Sequence, residues 1–282
     1  GDFEVLSDST SLTPGKITAD KQVGVILHRG RAFESRDLAA LAAGSDPMAA
    51  IGAKIADYIA NQRQKDLLSC LAGVFGSLGS NDSASFVDLT IDGLTADTPT
   101  VLSPRHVAEA RSLLGDQGDK LTAICMHSKV YYDLVERKAI DYVSTLEARG
   151  TTTTQSGGSL VGAYGGDASV PTYMGLRVIV SDDVQTAGSG SSTEYATYFF
   201  TNGAVASGEQ LALQTETDRD ILAKSDAMSI DLHYCYHPVG AKWGVSTVNP
   251  TRAQLETIGN WSKVYETKNI GCVRSTNTSN FD

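Results

Sequence analysis

The segment His233-Tyr234-Cys235-Tyr236-His237 has a spacing that could hold a metal, because residues two apart on a strand project from one face and imidazole and thiolate are both zinc ligands. Reach argues against a single three-ligand centre. At ~3.3 Å per residue the two histidines stand roughly 13 Å apart at Cα, and bonds of about 2.0–2.3 Å cannot gather three side chains from one straight strand. The segment reads as an ordinary sheet face, and no metal is expected. His127-Ser128 sits where a helix begins, so Ser128 reads as its cap rather than a nucleophile. No Gly-x-Ser-x-Gly elbow occurs, nor a cysteine beside a histidine at a helix start. The glycines at Gly157-Gly158 and Gly165-Gly166 fit neither the phosphate-loop nor the dinucleotide spacing and read as loop residues. Asp182-Asp183 and Asp218-Arg219-Asp220 could be paired acids or divalent-ion ligands, but at strand ends they read as solvated or salt-bridged carboxylates. No catalytic residue and no cofactor is expected. Arg29-Gly30-Arg31, followed by Phe33, offers a different chemistry. Guanidinium forks pair bidentately with carboxylates, which suits either a contact with an acidic neighbour of the same kind or, more simply, a solvated turn.

Composition limits what those residues can serve. The 282 residues, 41% hydrophobic and 20% charged, describe an ordered chain with material for one large or two smaller cores. No apolar run of about eighteen residues is present, so no membrane-spanning helix is expected. A net charge of −10 argues against a general nucleic-acid binder, whose affinity comes from clustered Lys and Arg, while still allowing a surface that faces DNA at close range. Cys70, Cys125, Cys235 and Cys272 are scattered without metal or redox spacing and read as reduced thiols.

The elements that must position these side chains are dominated by one helix. Ser45-Asp46-Pro47 is a strong start signal, with a capping carboxylate and a proline at the first helical position. Apolar residues then recur at Met48, Ile51, Ile55, Tyr58, Ile59, Leu67, Cys70, Leu71, Val74 and Phe75, with fraying expected at Gly73 and Gly76. About thirty residues at ~1.5 Å each give roughly 45 Å, close to the ~50 Å width of a compact domain of this length, so the helix is a spine rather than one layer of a core. Before it, residues 1–16 read as an extended arm. Ile17 to Leu38 alternates with a break at Arg29-Gly30-Arg31, the pattern of a hairpin that needs support from another subunit or a distant part of its own chain. After it come strands at Phe86–Ile91, Leu121–Met126, Leu176–Val180, Tyr195–Phe200, Gln210–Thr217 and Ile230–Tyr236. Helices are expected from Pro104 to Leu114, from His127-Ser128 to Lys138, and from Thr251 to about Trp261, the last followed by a polar tail. Residues 149–166 form a Thr-Gly-Ser tract that reads as surface loop. The class is α+β with a mixed central sheet.

Several blocks, in this order, resemble the major capsid proteins of tailed phages: Gly44-Ser45-Asp46-Pro47-Met48-Ala49-Ala50-Ile51, Met126-His127-Ser128-Lys129-Val130-Tyr131, Thr172-Tyr173-Met174-Gly175-Leu176-Arg177, Tyr198-Phe199-Phe200, Glu216-Thr217-Asp218-Arg219-Asp220 and His237-Pro238-Val239-Gly240. The resemblance spans roughly Ile17 to Trp261 and implies the Hong Kong 97-like fold. It would make residues 1–16 the N-terminal arm, 17–44 the extended β-hairpin loop, and 45–97 the spine helix with the first part of the peripheral domain. The axial domain would take 98–206, the rest of the peripheral domain 207–240, and a C-terminal helix and tail 241–282. The tract at 149–166 and the tail depart from the family pattern.

The function so implied is structural and not enzymatic: assembly into hexamers and pentamers of an icosahedral shell around double-stranded DNA. The partners implied are copies of itself, a portal, scaffolding or decoration proteins, and packaged DNA contacted non-specifically, with no membrane. The expected location is the virion, assembled in the host cytoplasm. Because the family's loop crosses an adjacent subunit, the resemblance favours Arg29, Gly30, Arg31 and Phe33 as subunit-interface residues. Some relatives cross-link through Lys and Asn, but Lys21 has no assignable partner and no cross-link is expected. An encapsulin-type compartment around a protein cargo is the alternative within the fold, and a soluble hydrolase the alternative outside it. The sequence starts at Gly1 without an initiator methionine. A flexible or short upstream stretch is expected in preference to proteolytic removal.

Overall fold

The computed structural model describes residues 21–44, 47–78, 81–82, 85–91, 100–144, 169–190 and 193–281. The expected arm and the Thr-Gly-Ser tract lie outside the described residues. The spine helix runs Pro47–Phe75, 29 residues, about 44 Å at ~1.5 Å each. Its two halves bury against different things. Ile55 packs with Met228 and Ile230, with Phe33, Met48, Ile51 and Tyr58 around them. Leu68, Leu71, Val74 and Phe75 enter the main core. The helix ends at Gly76, whose φ of 98° is a left-handed stop that a side chain would resist. Gly73 does not fray the helix. It lies inside it, at a close backbone approach.

The first half of the spine carries a three-stranded antiparallel sheet. Its edge strand, Leu27–Arg36, pairs with Ser225–Pro238, which pairs in turn with Val205–Asp220. The last two form a hairpin of 16- and 14-residue strands, about 50 Å at ~3.3 Å per residue. Both are longer than the sequence pattern suggested. The expected hairpin over Ile17 to Leu38 is corrected: from Leu27 to Arg36 there is one continuous strand, straight through Arg29-Gly30-Arg31, and its partner lies some two hundred residues away, from Leu27 opposite Tyr234 to Arg36 opposite Ser225. A short helix, Asp37–Ala43, follows it.

The second half of the spine meets a mixed sheet, nine-stranded among the described residues. At its centre Glu194–Thr201 lies between Leu121–Met126 and Cys272–Thr278. The largest surprise is Cys272–Thr278. Expected as part of a polar tail, it is an inner strand, buried from Cys272 to Asn277. A strand flanked on both sides has its backbone groups paired, although Ser275 Oγ and Asn277 Oδ1 are buried without a hydrogen-bond partner among the described residues. Arg274 Nη1 donates to the Gly76 carbonyl at 2.7 Å, tying this strand to the end of the spine. The expected C-terminal helix shortens to Arg252–Leu255, and a three-residue turn of 3-10 helix leads to a strand at Trp261–Lys263. Phe86–Ile91 is likewise mostly a turn of 3-10 helix, Val87–Leu89, with two strand residues after it.

The helix Pro104–Leu113 starts with Ser103 as cap and His106 at its third position. His106 is buried, and its Nδ1 accepts from the Ser103 amide at 3.1 Å, the reciprocal arm of a capping box usually filled by Glu or Gln. Burial lowers its pKa, so the ring is neutral when folded. The unfolded chain then binds a proton that the folded one refuses. This contribution is fully present above about pH 6.5 and weakens as pH falls below it, by up to about 1.4 kcal/mol per pH unit. His106→Gln keeps the acceptor and removes the titration. The fall in Tm between pH 7.5 and pH 5 should be shallower in this variant than in the wild type, and equal slopes would refute the assignment.

Candidate functional site: the arginine-lined junction of spine and edge strand

Arg29, Arg31 and Phe33 alternate along the edge strand and share the face that looks toward the spine. Phe33 meets Tyr58 edge-on at 5.8 Å. Gly30 faces the other way, and its lack of a side chain matters: a Cβ there would stand 2.2 Å from Asp231 Oδ1.

Arg29 uses its whole fork inside its own chain. Nε reaches Asp66 Oδ2 at 3.2 Å, Nη1 the Asn249 side chain at 2.9 Å, and Nη2 the Pro250 carbonyl at 2.8 Å. Asp66, from the middle of the spine, is fully buried and also accepts from Arg252 Nε and the Tyr234 hydroxyl. Arg252 Nη2 donates to Gln62 Oε1 at 2.7 Å, and burial together with the hydrogen bond to Asp66 pushes the Tyr234 hydroxyl pKa well up. Arg63 lies 4.9 Å over the Tyr234 ring, donates to the Tyr236 hydroxyl at 3.1 Å and pairs with Glu209. One carboxylate therefore fastens spine, edge strand, hairpin and the Arg252 corner together. None of Asp66, Tyr234, Arg63 or Arg252 was singled out from sequence. The one signal was a gap in the apolar stripe between Ile59 and Leu67, where Gln62 and Asp66 occupy inward positions. Arg31 lies exposed beside this junction, with no hydrogen bond or ion pair among the described residues. The idea of Arg29 and Arg31 at a hairpin tip is thus corrected: both lie mid-strand, and Arg29 is committed to Asp66.

The other candidates have local partners. The His233 ring stacks on His28 at 3.9 Å, and His237 Nε2 lies 3.0 Å from Gln22 Oε1. Among the described residues no group of three metal-ligating side chains gathers. The helix Ser128–Glu136 is capped by His127, whose Nδ1 accepts from the Lys129 amide at 3.2 Å, so Ser128 is the first helical residue and not the cap. Asp182 accepts from the Ser128 amide at 3.3 Å, and hydrogen bonds from Ser128 hold its carboxyl below the usual range. Asp183 pairs with Lys65 at 3.4 Å. All four cysteines are free, and burial pushes the Cys70 and Cys125 thiols up to about 12, the opposite of an activated nucleophile.

A spine helix shared between a long three-stranded sheet and a larger mixed sheet, with its polar chemistry used to clamp elements together, defines a Hong Kong 97-like capsid fold. Solved structures agree. This chain matches the cyanophage Pam1 capsid asymmetric unit with a TM-score of 0.57 and 13% identity, covering 96% of this chain and 83% of that one. It matches the capsid of Ralstonia phage GP4 with a TM-score of 0.56 and 7% identity, covering 91% and 74%. Sequence narrows the class. The family model described as Gp13-like, major capsid protein 13-like, matches residues 3–273. The major capsid protein of Bacillus phage SPP1 is 37% identical over 280 residues, 97% of this chain and 78% of that protein. The chain belongs to the Gp13-like major capsid protein family.

Proposed function

We propose that this chain assembles with copies of itself, through hexamers and pentamers, into an icosahedral shell that encloses phage double-stranded DNA. The observation that carries this reading is the far end of the three-stranded sheet. There Leu38 and Leu41 of the short helix are 75% and 80% exposed, and Ile221 and Leu222 of the hairpin turn 80% and 97%. The two segments are held side by side, since the Asp37 amide donates to the Lys224 carbonyl at 3.0 Å and Arg219 pairs with both Asp37 and Asp226. Four aliphatic side chains presented together at the end of a long hairpin are an interaction surface rather than scattered exposure. Along the spine an apolar groove of about 630 Å³, lined by Ile59, Leu67, Leu71, Phe200 and Leu213 among others, is open as well. Several contacts of this kind, each weak, become collectively strong once neighbours are held in a ring.

In this reading the spine and three-stranded sheet form the peripheral part of the subunit and the nine-stranded sheet its axial part. The role is structural, in the virion, after assembly in the host cytoplasm. A portal, scaffolding or decoration proteins, and non-specifically contacted DNA complete the partners. The test is direct. Purified protein studied by light scattering, native mass measurement and electron microscopy should yield capsomers or shells, whereas a folded monomer as the sole species at high concentration would overturn the proposal.

A further inference from the structure

Four guanidinium groups, Arg29, Arg31, Arg63 and Arg252, line one cleft of about 90 Å³ beside the spine, and among the described residues the only carboxylate lining it is Asp66. That concentration of positive charge is unexpected on a chain with a net charge of −10. It is also not fully used. Arg63 and Arg252 each commit Nε and Nη2, leaving Nη1 of both without a hydrogen bond among the described residues, and Arg31 has no partner there at all. The space suits a single carboxylate, and planar forks favour that geometry.

The complementary charge is on the opposite face of the same sheet. Glu216, Asp218 and Asp220 alternate along Val205–Asp220 and lie opposite Ser229, Ala227 and Ser225, while the intervening Met228 and Ile230 face the spine. All three acids are exposed, and none has an Arg or Lys partner among the described residues. Asp220 is occupied in holding its turn, accepting from the amides of Leu222 and Ala223. Asp218 accepts from the Arg219 amide through Oδ1 at 2.8 Å, which leaves its Oδ2 and the Glu216 carboxylate to act outward. Because the sheet separates them from the cleft of their own chain, only another copy can bring them to it.

We infer that the arginine-lined cleft receives the Asp218 carboxylate from the hairpin of a neighbouring copy, with Glu216 of the same face outside it, an inference that rests on the assembly reading above. The contact is heterologous, one face of each copy against a different face of the next, which is the kind that propagates rings and lattices. Arg31 is its accessible anchor. Arg29, being locked to Asp66, orients the cleft and is unsuitable for a test.

Charge exchange tests it. Arg31→Glu and Asp218→Arg each alter an exposed side chain and should leave subunit melting unchanged. Each alone should lower the yield of shells at physiological salt by about tenfold, and the two together should restore it to within about twofold of wild type. Single variants that assemble like wild type, or a double variant that does not recover, would overturn the contact while leaving self-assembly standing. Failure of the wild type to assemble would remove the assembly reading, and the contact with it. If Arg31→Glu left shell yield unchanged and lowered only the DNA retained, the cleft would be a phosphate site and the inference wrong.

Discussion

Asp66→Ala should destabilise the unassembled subunit by about 3–5 kcal/mol, a large share of the roughly 5–15 kcal/mol that holds a typical protein folded. The Asp66 side chain has no exposed surface, while Arg29 and Arg252 are 26% and 38% exposed. Removing the carboxylate leaves two guanidiniums side by side with no counter-charge and the Tyr234 hydroxyl without its acceptor. Partial hydration of the arginines places the loss nearer the lower bound than it would be for wholly buried cations. At roughly 2–4 °C per kcal/mol for a chain of this size, Tm should fall by about 6–20 °C. Asp66→Asn keeps the shape but turns an amide donor toward other donors, so it should recover only part of the loss. In a double-mutant cycle, Arg252→Ala should cost much less in the Asp66→Ala background than in wild type. A loss below about 1 kcal/mol for Asp66→Ala would show that the four elements are held by packing alone.

Which parts of this architecture could be read from sequence follows from the range of the interactions that make them. The strands at Leu121–Met126 and Leu176–Val180 and the helix beginning at Pro104 were legible, because a short apolar run or a proline at a helix start is a local signal. The spine was legible for the same reason. The edge strand was recognisable as a strand, but alternation does not say with what a strand pairs, and its partner comes from the far end of the chain. Cys272–Thr278 was missed because four of its buried residues, Arg274, Ser275, Thr276 and Asn277, are polar, so the hydrophobic pattern that normally announces an inner strand is absent. The arginine at position 274 and the hydroxyls around it read as surface until their neighbours are in place. At the junction, the chemistry of Arg29 and Arg31 was visible and its geometry was not. Both read as residues of a hairpin tip, whereas they lie mid-strand and Arg29 pairs with Asp66, a residue whose only sequence trace is a polar interruption in an apolar stripe.

Gly73 gives a prediction in which local propensity and packing have opposite signs. In an isolated helix, Gly→Ala is favourable by about 0.5–1 kcal/mol, because alanine has less backbone freedom to lose on folding. At position 73 an added Cβ would stand 1.8 Å from the Leu255 carbonyl oxygen and 2.7 Å from Trp261 Nε1. Those two atoms are themselves joined by a hydrogen bond of 2.8 Å, so the corner from Arg252 to Trp261 is seated on the spine by backbone at this glycine. Backbone cannot swing aside as a side-chain end can. The corner must move by more than 1 Å, disturbing the edge-on packing of Trp261 against Trp243 at 5.1 Å and the Ser69 hydroxyl's 2.8 Å bond to Glu256. Overpacking of this kind costs about 1–3 kcal/mol, and more where the obstacle is rigid, so packing should prevail and Gly73→Ala should be destabilising by about 2 kcal/mol or more. A Cβ at Gly52, in the same helix, would meet nothing within 4 Å among the described residues, and there Gly→Ala should stabilise by about 0.5–1 kcal/mol. Denaturant unfolding of the two variants beside wild type should move the midpoints in opposite directions. Stabilisation by Gly73→Ala equal to that by Gly52→Ala would mean that the corner does not rest on the spine at this glycine.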